Sequence, residues 1–180
     1  TNEMRSKPMV TSIDSGAYSS CATNSDDWAY CWGEGWAGQL GNGDTVDSSM
    51  PVAISQGAIP SGATIRQLSA GLRHVCVIAS DNWVYCWGEN NRGQLGDNSV
   101  DRRNTPVALN RGNIPTGATI REITTGAEHT CAIASNNRAY CWGNNDDGQV
   151  GDGTNTARTT PVVVSQGAMP SGALVNQISA

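Results

Sequence analysis

Phenylalanine is absent from this sequence of 180 residues, and lysine nearly so: Lys7 stands alone against ten arginines. No stretch approaches the roughly 18 apolar residues that a membrane-spanning helix needs, so no membrane span is expected. Basic residues are too few to offset the acidic ones, and the net charge is −5. A surface of that sign is a poor match for a polyanion, which argues against nucleic acid as a partner. The adjacent pair Arg102 and Arg103 reads as a solvated loop. No Gly-Lys-Ser/Thr follows any glycine-rich turn, so there is no phosphate loop. No Ser-His-Asp set or paired carboxylates stand out, so catalysis is not expected and no catalytic residue is assigned. Residues 1–8 contain no apolar run and do not read as a secretion signal, as expected of a processed or excerpted chain.

Glycine, by contrast, is abundant at 21 residues. With the many Asn, Asp, Ser and Thr it signals short strands separated by turns. These residues recur in an unbroken register of 55 residues. Cys21, Cys76 and Cys131 keep that spacing, as do Cys31, Cys86 and Cys141, and Pro51, Pro106 and Pro161. Three repeats follow, at residues 16–70, 71–125 and 126–180. Each carries a Tyr-Cys-Trp-Gly run (Tyr30 to Gly33 in the first) and a Gly-Gln-Leu/Val-Gly turn (Gly38 to Gly41). A Pro-Ser/Thr-Gly-Ala turn (Pro60 to Ala63) comes later. Residues 1–15 form an N-terminal segment. Its residues 10–15 align with residues 65–70, so the chain reads as starting with a spare copy of the unit's last strand. Residue 180 falls where another unit would begin, as in an excerpt from a longer array or a subunit continued by a neighbouring chain.

In the second repeat, residues 74–79 and 83–88 are rich in β-formers, and Ser80-Asp81-Asn82 between them is turn chemistry. A hairpin centred on Asp81 pairs Ile78 with Val84, Val77 with Tyr85, Cys76 with Cys86, and Val75 with Trp87. Opposed Cα atoms in antiparallel strands lie about 4.5–5.5 Å apart, within the reach of a disulfide. The same arithmetic pairs Cys21 with Cys31 and Cys131 with Cys141. Three cross-strand disulfides are therefore expected, which places the chain in an oxidising compartment, secreted or at the cell surface. Buried free thiols are the alternative. Zinc is disfavoured because the cysteines lie ten residues apart and Ser19 replaces the histidine of positions 74 and 129.

Both faces of the hairpin are apolar. Val75, Val77, Tyr85 and Trp87 point one way, and Cys76, Ile78, Val84 and Cys86 the other. Such a sheet must be covered on both sides, and stacking it between its own repeats does so. Further strands near residues 65–69 and 106–109 give about four per unit. The expected fold is all-β: propeller blades of about four antiparallel strands.

The run His-x-Cys-x-Ile-x-Ser, then Tyr-Cys-Trp-Gly-x-Asn-x-x-Gly-Gln-Leu-Gly and Thr-Pro-Val, resembles the regulator of chromosome condensation type of repeat, over essentially the whole chain after residue 10. The resemblance implies a propeller, commonly of about seven blades, of which three units form an incomplete ring or a part. Members of that family include nuclear exchange factors for small GTPases, a bacterial β-lactamase inhibitory propeller and many secreted bacterial proteins. The cysteine pair departs from the nuclear members and points to the secreted bacterial subset. No residues here map onto an exchange-factor wedge.

Trp32, Trp87 and Trp142 repeat and are expected in the core. Trp28 and Trp83 give way to Arg138, and Trp36 to Asn91 and Asp146. Because a core site does not readily exchange Trp for Arg or Asp, Trp28, Trp36 and Trp83 are the candidate exposed ligand-binding residues. The oxygen-rich residues 144–153 have the look of a calcium loop, yet the other repeats differ there and the spacing is not that of an EF-hand, so no metal or other cofactor is assigned. The functional expectation is a module that binds a protein or glycan. The alternative is a structural subunit joining copies of itself head-to-tail, as a ring or filament, through open blade edges.

Overall fold

In the computed structural model, residues 9–180 are described, and the N-terminal stretch read above as lacking a secretion signal lies outside them. The described chain forms twelve strands in three four-stranded antiparallel sheets. The first holds β1 (Val10–Ser15), β2 (Ser19–Asn24), β3 (Ala29–Gly33) and β4 (Ser48–Ala53). The second holds β5 (Ile65–Ala70), β6 (His74–Ala79), β7 (Val84–Gly88) and β8 (Arg103–Ala108). The third holds β9 (Ile120–Thr125), β10 (His129–Ala134), β11 (Ala139–Gly143) and β12 (Arg158–Val163). Each sheet is a simple meander, and β1, β5 and β9 lie beside one another as the inner strands of successive blades.

The hairpin register expected from the cysteines is the one observed: Val75 opposes Trp87, Cys76 opposes Cys86 and Ile78 opposes Val84. Its turn places Asn82 in the left-handed region, as Asp27 and Asn137 are in the other blades. Asn and Asp tolerate that conformation better than other non-glycine residues. All three disulfides form, each with a Cα separation of 4.1 Å.

The two faces of the second hairpin part as the alternation requires. Val75, Val77, Tyr85 and Trp87 join Leu40, Ile54 and Ile65 in one buried cluster. Cys76, Ile78, Val84 and Cys86 join Leu95, Ile123 and Trp142 in the next. The hydrophobic effect thus acts between blades rather than within one, because a lone four-stranded sheet has no interior.

The phase of the sheets differs from the sequence repeats. Residues 65–70 close the second sheet, not the first, and β1 is the innermost strand of the first sheet rather than a spare copy. The reason is the crossover: residues 54–64 carry the chain from the outer β4 to the inner edge of the following blade. Trp32 also departs from expectation. Trp87 and Trp142 are fully buried against the preceding blade, whereas Trp32 is only partly buried, because no blade precedes it among the described residues.

The Gly-Gln-Leu-Gly turn has a specific task at this interface. The Gln39 side chain accepts from Ala37 N at 2.9 Å and closes the turn, while Leu40 points into the core. The Gln39 carbonyl accepts the indole N–H of Trp87 from the next blade at 3.0 Å, and Gln94 receives Trp142 in the same way at 2.9 Å. A Cβ on Gly41 would stand 2.6 Å from Trp87 Nε1. The second glycine of the motif is therefore the space in which the neighbouring tryptophan sits.

Candidate functional site

The rim at which β1–β2, β5–β6 and β9–β10 turn gathers the residues that break the repeat. It is assembled by a backbone contact. Gly33, Gly88 and Gly143 have φ between 100° and 110°, a conformation that suits glycine alone. There the strand end bends against the inner turn: Glu34 N donates to Tyr18 O, Glu89 N to Arg73 O and Asn144 N to Glu128 O, at 2.8–2.9 Å. A Cβ on Gly33 would meet Tyr18 O at 2.5 Å. Two variable series, Tyr18/Arg73/Glu128 and Glu34/Glu89/Asn144, are thereby held side by side.

At the first blade boundary the Arg73 guanidinium lies 4.7 Å from the Tyr18 ring centroid and 4.9 Å from that of Trp36. It pairs with Glu34 at 3.2 Å. Gln39 Nε2 donates to the same carboxylate at 3.1 Å, and Arg102 donates to Trp36 O at 2.6 Å. Tyr18 and Trp36 remain 51% and 46% exposed, so their rings are held but not hidden. Arg–aromatic contacts of this kind contribute about 0.5–1 kcal/mol at exposed sites. Within the third blade Asn144 donates to Glu128 at 3.1 Å. Burial raises the Glu89 pKa; Arg73 opposes that, and Glu128 and Glu34 reinforce it. Arg73 thus pairs with Glu34 and faces Glu89, Arg102 caps the Trp36 carbonyl, and the rim presents two aromatic faces beside Glu34, Glu89 and Glu128.

Of the three tryptophans expected to be exposed, only Trp36 is. Trp28 and Trp83 are partly buried and pack on the interblade clusters. Their indole N–H groups donate to Ile54 O at 3.2 Å and Leu109 O at 3.0 Å. These slots lie at the opposite strand ends from the rim, so the three residues form no common site. Replacement by Arg138 is tolerated because the position is at a blade edge, where a long side chain reaches solvent. Tyr18, Arg73, Glu34 and Glu89 are not among the candidates that the sequence offers, and Glu128 stands out there only as the neighbour of His129. The available signal was the one that marked Trp36, namely non-repetition inside a repeated frame.

His74 is buried between the blades. Thr130 Oγ1 donates to Gln94 O at 2.8 Å and so accepts from His74 Nε2 at 2.9 Å, which leaves Nδ1 as an unpartnered acceptor. Desolvation, helped by His129, lowers its pKa to about 3. The residues of the calcium-like loop satisfy one another. Asn145 Oδ1 accepts from Val150 N at 3.0 Å, and its Nδ2 donates to Thr156 O at 3.0 Å; Arg158 pairs with Asp152. Among the described residues no three His, Cys, Asp or Glu side chains gather in a metal-binding cluster.

Stacked four-stranded meanders joined by outer-to-inner crossovers define partial β-propellers. The model for the regulator of chromosome condensation (RCC1) repeat matches residues 26–78, 81–133 and 136–176. The chain belongs to the RCC1 repeat family. It is 33% identical over 133 residues to the ultraviolet-B receptor UVR8 of Arabidopsis thaliana, covering 72% of this chain and 29% of the receptor. It is 30% identical over 145 residues to the human E3 ubiquitin-protein ligase HERC2, covering 81% of this chain and 3% of the ligase. The structure of Prp20p from Saccharomyces cerevisiae, described with its binding properties to Gsp1p and histones, superposes with a TM-score of 0.74 at 26% identity, over 89% of this chain and 39% of that one. Yeast RCC1 (Prp20) in its complex with Kap60 gives 0.75 at the same identity, over 89% and 38%. The chain therefore spans well under half the length of these relatives.

Proposed function

We propose that this propeller module acts outside the cell or at its surface and binds a polypeptide partner through the rim around Tyr18, Trp36 and Arg73. The observation that carries the reading is the pair of exposed aromatic rings anchored by one guanidinium next to Glu34, Glu89 and Glu128. Held aromatics lose little side-chain entropy when a partner covers them, and interface hot spots are rich in Trp, Tyr and Arg. The excess carboxylates favour a partner segment carrying Lys or Arg. Binding of proteins by the Prp20p propeller is consistent with this use of the fold. The disulfides support an oxidising location, and a secreted bacterial protein fits that description. A glycan would stack on Trp36 but make little use of the carboxylate excess.

The test is affinity capture followed by titration of the captured partner. Trp36→Ala and Glu89→Gln should each weaken binding at least about ten-fold, or about 1.4 kcal/mol, with the melting temperature retained. Equal binding by both variants would refute the rim.

A second reading has its own observation. Residues 175–180 join no sheet but keep two contacts with the third blade: Val175 N donates to Asn137 O at 3.0 Å, as Ile120 N does to Asn82 O, and Ala180 N reaches Thr124 Oγ1 at 3.1 Å. At the other end Val10, Ile13, Tyr30 and Trp32 line an apolar cavity on the open face of the first blade. Head-to-tail association of copies, in a ring or filament, would cover both. Light scattering on the intact chain across a concentration series should then show discrete or growing assemblies, and a monomer throughout would remove this reading.

A further inference from the structure

The chain holds one Asn-Gly step, Asn42-Gly43, in the loop that leads from β3 to β4. The repeat sets this residue apart. Asn42 aligns with Asp97 and Asp152, whose carboxylates anchor their loops. Asp97 accepts from Asn90, Ser99 and Arg103 at 2.7–3.1 Å, and Asp152 has the matching partners Asn145, Thr154 and Arg158. In the first blade Gly35 replaces the asparagine and Ser48 the arginine. The Asn42 side chain keeps a single hydrogen bond among the described residues, accepting from Asp44 N at 3.4 Å. Asn42 is half-buried and Gly43 exposed, so water reaches the step. Glycine also places no side chain beside its own nitrogen, the atom that an asparagine amide carbon can capture. What restrains that nitrogen is the neighbouring blade. Gly43 N donates to Asn104 O at 2.9 Å, and Asn104 Nδ2 donates to Gly43 O at 2.7 Å. Both bonds cross from the first sheet's loop to β8 of the second.

We propose that Asn42 is a self-modification site, a deamidating asparagine whose reaction is gated by the hydrogen bond from Gly43 to Asn104. When the seam between the blades opens, Gly43 N is free to attack Asn42 Cγ. A C–N bond forms, the Gly43 proton leaves with the amide nitrogen as ammonia, and a cyclic imide joins residues 42 and 43. Water then opens the imide at either carbonyl, giving aspartate or isoaspartate. The reaction needs water alone and does not depend on a partner at the rim. Neither product suits the loop. The aspartate product sets a second carboxylate beside Asp44, with Ser48 where the other blades hold an arginine. The isoaspartate product lengthens the main chain by a methylene immediately before Gly43 and pulls it out of register with Asn104. In either case the contact between the first two blades weakens as the molecule ages.

The experiment follows the intact, oxidised chain at mildly alkaline pH, with peptide mapping by mass spectrometry. Asn42 should convert before any other asparagine, to a mixture of aspartate and isoaspartate, the latter detected by enzymatic methylation. The same N–H must leave Asn104 O for attack and for hydrogen exchange. The folded chain should therefore convert more slowly than the urea-unfolded chain by the protection factor measured at Gly43, at least about ten-fold. Asn104→Ala removes the bond to Gly43 O and should speed conversion and exchange together. If that variant does not fold, sub-denaturing urea on the wild type makes the same comparison. Asn42→Asp should lower the melting temperature, and an unchanged one would overturn the cost assigned to the products. Conversion of another asparagine first, or none at Asn42 while the unfolded chain converts, would overturn the site. Equal rates in the folded and unfolded chains, or a slowing unrelated to exchange protection, would overturn the gate.

Discussion

The indole N–H of Trp87 donates to the main-chain oxygen of Gln39, 48 residues earlier, at 3.0 Å. A side chain of one sheet is thereby bonded to a turn of the preceding one, and Gly41 must stay bare for the ring to fit.

Gly41→Ala should therefore destabilise the chain through two effects. The new Cβ meets Trp87, and φ of 67° is unfavourable for alanine. Together these should cost about 2–4 kcal/mol, read as a lowered urea midpoint. Gly62→Ala, whose Cβ would meet nothing within 4 Å, carries only the backbone penalty and should cost distinctly less.

Acid should weaken the protein well before its carboxylates titrate. His74 is neutral when folded, with a pKa of about 3, against 6.5 when unfolded. Between those values the unfolded chain binds the extra proton, so stability is full above pH 6.5 and falls as pH drops towards 3, by at most about 1.4 kcal/mol per unit. His129, also lowered by burial, acts in the same direction. Melting temperatures from pH 7 to 5 should fall in the wild type, and the slope should flatten in His74→Gln, which keeps a donor for Thr130. An unchanged slope would show that His74 is hydrated when folded.

The loops after β7 and β11 each hang on one buried asparagine. Asn90 Nδ2 reaches Asp97, Ser99 and Asp101 O, and its Oδ1 accepts Leu95 N. Burial alone would raise the Asp97 pKa, but hydrogen bonds from Ser99, Arg103 and Asn90 and the Arg103 charge lower it overall. Asn90→Ala leaves several of these groups unpaired and should cost about 2–4 kcal/mol. Faster amide exchange confined to residues 90–103 would check it.

The three disulfides should not reduce together. Each cysteine pair faces the following blade, so Cys21–Cys31 and Cys76–Cys86 are covered by a neighbour, while among the described residues of this 180-residue chain Cys131 and Cys141 pack on Val150 and partly buried Val162, Val164 and Ile178. Under native conditions with a phosphine reductant, alkylation mapped by mass spectrometry should mark Cys131 and Cys141 first. Loss of each bond removes about 2–3 kcal/mol in the chain-entropy model.

The hairpins were readable from sequence because a disulfide reports a pairing over ten residues, and alternation then assigns both faces. Which sheet residues 65–70 join is not a local property. It depends on a crossover whose direction no pattern of hydrophobics records, and so β1 looked superfluous. Trp28 and Trp83 looked exposed because Arg138 takes their place. A half-covered edge slot accepts either, one by filling it and the other by leaving it. The rim was hidden for a different reason: Tyr18 and Trp36 meet Arg73 only because Gly33 bends one strand end against a turn 15 residues earlier.

The offset between repeat and sheet has a genetic consequence. Cut at Gly16 or Gly71, a unit comprises three strands of one sheet and the first of its successor. Copying or deleting such a unit in the coding sequence leaves every sheet whole, since each seam is spliced by the strand that crosses it. The array is thereby free to change length by unequal recombination without passing through a broken intermediate.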